Sequence, residues 1–481
     1  MAESLKQKAV KGLIWSGIER LSGQIVTFVL TLILARLVTP HDYGVLAIVM
    51  VFVSISSLIV DAGFANALIR KVDCTDEDRS TVLYFNIATS IILYGILYLF
   101  TPNIASFYNN IDLIPLIRSA TTVIIINSFS IVQQAILTAQ IDFKKQTKIS
   151  LSSSIISGLV GIWLAYQGYG VWALVMQTII LASIRVIMLW LVVRWRPLIV
   201  FSSNSFKDLF GYSYKLMLSN LIVKGGNETL QLLMGFFFST ANLGYYNYSK
   251  RMADFPSTNI TTTIQRVLFP VFSKIQTNDH QLAENFRQSL VLGMTAIFPI
   301  MFGISVLAEP LVNILLTSEW KPVIPILSIT AITMGVWPLL LFNMNILWVK
   351  KRSDLSLILE IVAMVVKLAV VLYLFRFGLL YVCMGFAVVT VINFITYAYV
   401  TSRLISYNYI TQILDICKVL FKSALASFAT FYLVIPNIDN NVLQLLFGFI
   451  SIVVITSFLT ILCKGYEYKL IVKVIKDKYK N

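Results

Sequence analysis

The feature that most constrains this chain is a succession of apolar segments, each about 20 residues long, that recurs from near the N-terminus almost to the C-terminus. A helix needs about 20 mostly apolar residues to cross the hydrocarbon core of a bilayer. Fourteen segments meet that length: 10–36, 43–69, 80–101, 113–140, 149–167, 171–193, 211–238, 242–272, 287–308, 322–349, 355–375, 379–401, 415–435 and 442–463. At about 21 residues each they take up about 290 residues, near 60% of the chain, in keeping with a composition that is 58% hydrophobic. Only 13% of residues are charged, against about 25% in soluble domains, too few to cover a water-soluble surface of this size. Membrane-barrel strands would be alternating segments of about ten residues; these runs are longer and continuous. The expected fold class is all-α, a polytopic membrane protein with about fourteen transmembrane helices. The first apolar run is expected to be a span, not a cleaved leader. It is about twice as long as the 7–15 residues of a signal-peptide core, and no small-residue cleavage site follows.

An even number of spans puts both ends on one side, and the cations say which. One set of connecting segments holds about 25 Lys and Arg, among them Lys6, Lys8, Lys11, Arg70, Lys71, Lys144, Lys145, Lys350, Lys351, Arg352 and the tail from Lys464 to Lys480. The other set holds Arg36, Arg118, Lys321 and Arg376. The positive-inside rule then predicts both termini in the cytoplasm. It also explains the net charge of +15 as retention charge, with no nucleic-acid partner required. The basic tail is expected to lie as an interfacial helix on anionic lipid.

Two stretches about 200 residues apart match each other. Leu37-Val38-Thr39-Pro40-His41-Asp42-Tyr43-Gly44 corresponds to Phe237-Phe238-Ser239-Thr240-Ala241-Asn242-Leu243-Gly244. Each is the end of a long apolar helix, then a hydroxyl residue, a tight turn, an aromatic or Leu, and Gly. A second pair follows in the same order: Pro102 with Ile114-Pro115-Leu116-Ile117, and Pro310 with Ile324-Pro325-Ile326-Leu327. Together they indicate a repeat of six spans. Six is even, so the halves are parallel repeats about an axis along the membrane normal. The expected organisation is an N-lobe over 1–197, a cytoplasmic amphipathic linker over 198–210 and a C-lobe over 211–402. Two appended helices over 403–463 and a basic cytoplasmic tail over 464–481 follow.

No G-x-x-x-x-G-K-[ST] phosphate loop is present, so the chain is not expected to hydrolyse ATP. Two histidines, His41 and His280, and four scattered cysteines offer no metal or disulfide spacing. The connecting loops, none above about 20 residues, leave little room for an external acceptor site. No catalytic residue, metal or cofactor is expected, and an enzyme such as a polymerase or ligase is the weaker class of reading.

Ionisable groups inside spans carry more information, since each costs at least about 2.5–3.5 kcal/mol at the bilayer centre and usually faces a cavity or a partner. The candidate substrate-binding residues are Arg20, Lys215, Lys224, Asn227, Lys250, Arg251 and Asn343. The candidate ion-coupling carboxylates are Glu19, Asp61, Glu228, Asp254 and Glu360. Lys367, Gln231 and Asn345 add polar character. Plainer roles stand beside these. Arg20 and Lys215 are within snorkelling range of the cytoplasm. Lys224 and Glu228 are four residues apart and can pair on one helix face. Asp61 can serve as a packing group. The segment Lys224-Gly225-Gly226-Asn227-Glu228 is too polar and flexible for a lipid-facing helix and suits an aqueous cavity. Cations slightly outnumber carboxylates in this set, which leans toward an anionic substrate.

The chain resembles the polysaccharide flippases of the multidrug/oligosaccharidyl-lipid/polysaccharide exporter superfamily, in particular the colanic-acid-exporter and lipopolysaccharide-biosynthesis group. The matching stretches include Leu34-Ala35-Arg36-Leu37-Val38-Thr39-Pro40 with Tyr43-Gly44, Asp61-Ala62-Gly63-Phe64, Gly168-Tyr169-Gly170-Val171-Trp172, Trp195-Arg196-Pro197, Leu243-Gly244-Tyr245-Tyr246 and Ala308-Glu309-Pro310. The resemblance implies a V-shaped transporter of fourteen helices in a bacterial inner membrane. It would move undecaprenyl-pyrophosphate-linked oligosaccharide from the cytoplasmic to the outer leaflet, coupled to a cation (H+ or Na+), as a monomer. Relatives carry an Arg-Ala pair after the Leu-Gly-Tyr-Tyr turn; here Ser249-Lys250-Arg251 stands, so Arg251 is carried over only as a nearby charge. A cation-coupled multidrug antiporter of the same superfamily and a polysaccharide polymerase or ligase are the alternatives.

Overall fold

The computed structural model describes residues 22–71, 73–470 and 472. Among these residues every regular element is helical. In chain order the α-helices are α1 Ser22–Leu37, α2 Pro40–Asp61, α3 Phe64–Arg70, α4 Asp76–Phe107, α5 Leu113–Ala120, α6 Thr122–Ser128, α7 Ile131–Ala139, α8 Phe143–Tyr166, α9 Val171–Val193, α10 Ser203–Phe237, α11 Thr240–Lys274, α12 Asp279–Val306, α13 Ala308–Leu315, α14 Val323–Val349, α15 Ser353–Leu374, α16 Leu379–Ser402, α17 Tyr409–Leu433 and α18 Asn441–Cys463.

Helices lie at all fourteen expected spans. Ten are long and apolar enough to cross a bilayer, with α2 and α3 counted together. The fourth expected span is bent: Leu113–Ser128 and Ile131–Ala139 meet at 42°. The other three positions hold α1, whose described part is short, and the 35-residue helices α10 and α11, which are more polar. The architecture is therefore all-helical, with ten or eleven apolar candidate spans among the described residues, and is compatible with fourteen.

The helix starts follow from local chemistry. Thr39 is the N-cap of α2: its hydroxyl accepts from the Asp42 amide at 3.2 Å, and the Asp42 carboxylate accepts from the Thr39 amide at 3.4 Å. Pro40 occupies the first turn, where its missing N–H costs nothing. Such a capping box stabilises a helix by about 1 kcal/mol. At the start of α11 the Ser239 hydroxyl makes the first of these two bonds, accepting from the Asn242 amide at 3.3 Å. Pro115 and Pro325 each stand third in a helix, α5 and α14, a position that tolerates proline.

The described residues pack into two compact units that part between Gly244 and Tyr245. The segment 198–210 stays with the first unit. Leu198 and Ser202 donate their amides to the Ser80 and Thr81 hydroxyls of α4, and Trp195 donates to Asp76. Nearby, Lys71 bridges Asp78 of α4 at 3.0 Å and Asp208 of α10 at 3.2 Å; its hydrogen bond to Asp78 holds the ammonium above its ordinary range. In the second unit a buried core gathers α12, α14, α16 and α17 around Phe286, Phe298, Phe342 and Tyr397.

The first unit also contains the point where the two matching turns meet. α2 and α10 run antiparallel, with Ile48 against Gly235 and Ser54 against Glu228. At the end that carries both turns, a Cβ on Gly44 would fall 1.6 Å from the Thr240 carbonyl oxygen, and one on Gly244 would fall 1.9 Å from that of Pro40. Gly44 and Gly244, and Pro40 and Thr240, are each 200 residues apart, so the contact is reciprocal between the two copies of the turn. Only residues without a side chain permit it. Gly44→Ala or Gly244→Ala is expected to force the turns apart at a cost of at least about 1–3 kcal/mol. In a chain freed of its four cysteines, a cysteine at position 240 should then react faster with a membrane-impermeant maleimide. Unchanged labelling and melting temperature would count against the close approach.

Candidate substrate and coupling groups

The structure gathers the sequence candidates into two sets, one in each unit. In the first, α10 places Lys224 and Asn227 in exposed positions and Glu228 in a half-buried one. Glu228 accepts from the Ser54 hydroxyl of α2 at 2.8 Å. Gln231, one turn on, donates to the Ala47 carbonyl at 2.7 Å. These are the interhelical polar bonds expected where hydrocarbon offers no other partner. Lys224 makes no ion pair with Glu228, and Asn227 turns back to the Val223 carbonyl at 3.0 Å. Asp61 stands where α2 breaks at Ala62 and Gly63, both left-handed. Its carboxylate accepts from the Ala65 amide at 3.2 Å, so it satisfies an orphan donor at the start of α3. Glu19 and Arg20 lie outside the described residues, as does the side chain of Lys215.

In the second unit Lys250 and Asp254 of α11 stand within electrostatic reach of each other, as do Glu360 and Lys367 of α15. Lys367 also feels Lys250, which joins the two helices into one set of two cations and two carboxylates. Arg251 is exposed. Asn343 is not on an open surface. It is fully buried, donates to the Leu339 carbonyl at 2.8 Å and accepts from Gln412 of α17 at 3.2 Å, a packing bond between α14 and α17.

One cluster escaped the sequence reading. Arg287 of α12 donates to both carboxylate oxygens of Asp415 of α17, at 2.7 and 3.2 Å. Tyr407 donates to the same carboxylate at 2.9 Å, and Tyr466 donates to Glu284 at 2.7 Å. The Arg287 guanidinium lies 4.1 Å from the Tyr466 ring centre, and Lys422 pairs with Glu467. Burial first, then the neighbouring carboxylates, push the Tyr407 and Tyr466 phenols above their ordinary range. Both remain donors at physiological pH. The network ties the segment after α18 to α12 and α17. The sequence does not point to this pairing, since Arg287 and Asp415 are 128 residues apart.

With this geometry in view, comparisons with known proteins define the class. Among solved structures, the lipid II flippase MurJ in its inward closed conformation superposes with a TM-score of 0.74 at 14% identity, over 94% of this chain and 100% of that one. An inward-facing multidrug resistance MATE family transporter of the MOP superfamily superposes with a TM-score of 0.61 at 16% identity, over 81% of this chain and 98% of that one. The fold is thus the all-helical, polytopic one that these two proteins share. A family model described as polysaccharide biosynthesis protein matches residues 33–325, and one described as lipid II flippase MurJ matches residues 214–457. The chain belongs to the polysaccharide biosynthesis protein family. The teichuronic acid biosynthesis protein TuaB of Bacillus subtilis (strain 168) is 26% identical over 409 residues, 84% of each chain. The lipopolysaccharide biosynthesis protein WzxC of Escherichia coli (strain K12) is 24% identical over 335 residues, 68% of this chain and 67% of that one. The resemblance seen in short motifs is met by family, relatives and fold together.

The Arg287 network makes a sharp stability prediction. Arg287→Ala strands a carboxylate that is 6% exposed and is expected to cost about 3–5 kcal/mol. Arg287→Lys should recover only part, because an ammonium cannot make the forked contact. Thermal melting of the purified protein checks both; an unchanged midpoint in Arg287→Ala would refute the assignment.

Proposed function

We propose that the chain flips polyprenyl-pyrophosphate-linked oligosaccharide units from the cytoplasmic to the outer leaflet of a bacterial inner membrane, by alternating access, for export of cell-surface polysaccharide. The observation that carries this reading is the overlap of the two family models across α10 and α11, the helices that are at once the longest and among the least apolar. The physics fits such a substrate. A polyprenyl tail can stay in hydrocarbon, whereas burying an isolated ionised headgroup costs tens of kcal/mol by Born estimates. A transporter must therefore offer water and fixed charge where the spans are otherwise apolar.

Lys224, Lys250, Arg251 and Lys367 are the cations assigned to the pyrophosphate, with Arg20 and Lys215 at the cytoplasmic entrance and Asn227 as a neutral partner. Asp61, Glu228, Asp254, Glu360 and Glu19 are the candidates for cation coupling. Lys250 with Asp254, and Lys367 with Glu360, offset one another before substrate arrives. An anion that takes the lysines frees the carboxylates for H+ or Na+, which is a direct route to coupling. Both termini are assigned to the cytoplasm from the Lys and Arg bias, the two six-span repeats to two lobes, and the working unit to a monomer.

Removal of the chain is expected to leave single lipid-linked repeat units on the cytoplasmic leaflet, reported by sugar labelling of intact cells and inverted vesicles. Accumulation on the outer leaflet would mean that the block lies after translocation and would refute the reading. Lys224→Ala and Arg251→Ala should each lower export about ten-fold, equivalent to ~1.4 kcal/mol, with protein still in the membrane. Normal export in both variants and in the double variant would sink the assignment of these cations.

A further inference from the structure

Beside the reciprocal glycine contact, the first unit contains a cavity of about 330 Å³ between the start of α2, the end of α4 and its following turn, and the end of α10. Its size lies at the lower end of the range for small-ligand sites, about 300–1,000 Å³. The lining has a particular chemistry. Phe107 and Phe236 stack with ring centres 4.5 Å apart at 21°, and both remain about half exposed, at 54% and 46%. Asn109, in a left-handed turn with φ of 50°, has a side-chain amide with no hydrogen bond among the described residues. Tyr108 is fixed by donation to the Leu232 carbonyl at 3.1 Å, and Ser239 and Thr240 add hydroxyls. No Lys, Arg, Asp or Glu lines the cavity, and His41 supplies its one imidazole.

That set suits a pyrophosphate poorly, since it offers one imidazole and no Lys or Arg. It does suit an uncharged pyranose ring. The C–H face of the ring lies on aromatic carbon, while its hydroxyls need amide and hydroxyl partners that leave the ring free to go. On the orientation proposed above, this cavity opens on the outer side of the membrane, at the turns between the first and second and the seventh and eighth spans. We infer that it is a saccharide subsite for the sugar part of the translocated molecule, separate from the cations assigned to its pyrophosphate. The inference rests on the flippase reading for its substrate but is tested apart from it.

The test is saturation-transfer NMR on the full-length protein in lipid nanodiscs, with glucose, galactose, rhamnose, N-acetylglucosamine and glucuronate as probes and inorganic pyrophosphate as competitor. Transfer to the ring protons of at least one neutral sugar is expected. Phe107→Ala and Phe236→Ala should each weaken it about five- to ten-fold, and Phe236→Tyr, which keeps the aromatic face, should retain it. Excess pyrophosphate should not displace the sugar. Should either alanine variant melt early, Asn109→Gly removes the amide, keeps the turn and should weaken transfer too. Absence of transfer from every neutral sugar, transfer equal in wild type and variants, or displacement by pyrophosphate would each overturn the subsite. The leaflet assay of the chain-deleted cell reports on the flippase reading separately. Sugar binding with no cytoplasmic accumulation would refute transport and keep the subsite; accumulation without sugar binding would do the reverse.

Discussion

Hydrocarbon offers a polypeptide no hydrogen-bond partner, and much of this structure follows from that constraint. Backbone groups close on themselves in helices, and side-chain polar groups must find partners across helix interfaces or face water. Gln231 bonds a carbonyl of α2, Ser54 reaches Glu228, and buried Asn343 meets Gln412. Bonds of this kind are worth only about 0.6–2 kcal/mol each in a membrane. Their larger effect is to fix which faces of α2 and α10, and of α14 and α17, meet. Charges that cannot be satisfied by one neighbour are gathered into sets: Lys71 with Asp78 and Asp208, and Arg287 with Asp415 and Tyr407.

The two ends of the first unit are held in different ways. At the Lys71 end, one ammonium joins the starts of α4 and α10, and Trp195 adds a bond to Asp76. At the other end, the turns of the repeat meet through two glycines, with no ion pair between Pro40 or Gly44 and Thr240 or Gly244 among the described residues. Contact of backbone on backbone is short-ranged: it holds the turns closely while they touch and almost nothing once they part by an ångström or two. Such a joint loses its hold over a much shorter distance than an ion pair, whose attraction declines slowly. The cavity lined by Phe107 and Phe236 lies directly beside that joint, so anything filling it bears on the same turns.

The parts of the fold legible in the sequence were those set by local chemistry and by the bilayer. Apolar runs located the spans because their length is imposed by the membrane. Thr39-Pro40-His41-Asp42 was visible as a motif because a capping box and a first-turn proline are written in consecutive residues. The Gly at the end of each copy was visible as part of the repeat, but only the structure reveals that each copy touches the other. What stayed hidden was tertiary pairing. Lys224 and Glu228 have pairing spacing, yet Glu228 takes Ser54, 174 residues away. Asn343, a candidate for substrate binding, makes a buried bond to Gln412, 69 residues away. Arg287 anchors a network through a partner 128 residues away. The break at Ala62 and Gly63 left Asp61 capping α3, a role that spacing alone does not distinguish from ion coupling.

The balance of charge in the second unit bears on how such a protein can rest without leaking. Counted along the sequence, cations exceed carboxylates, which suggests a cavity always ready for anions. Counted where the structure brings groups together, Lys250 and Lys367 stand with Asp254 and Glu360, two against two. A bare excess of cations in a low-dielectric surrounding would be costly to maintain and would bind any phosphate present. On the reading proposed above, such a balanced set gives up its lysines only to an anion that binds them better than the resident carboxylates do. On the proposed reading, selectivity for a pyrophosphate carrying a lipid tail and sugars would then arise from that competition together with contacts to the rest of the molecule, and not from the lysines alone.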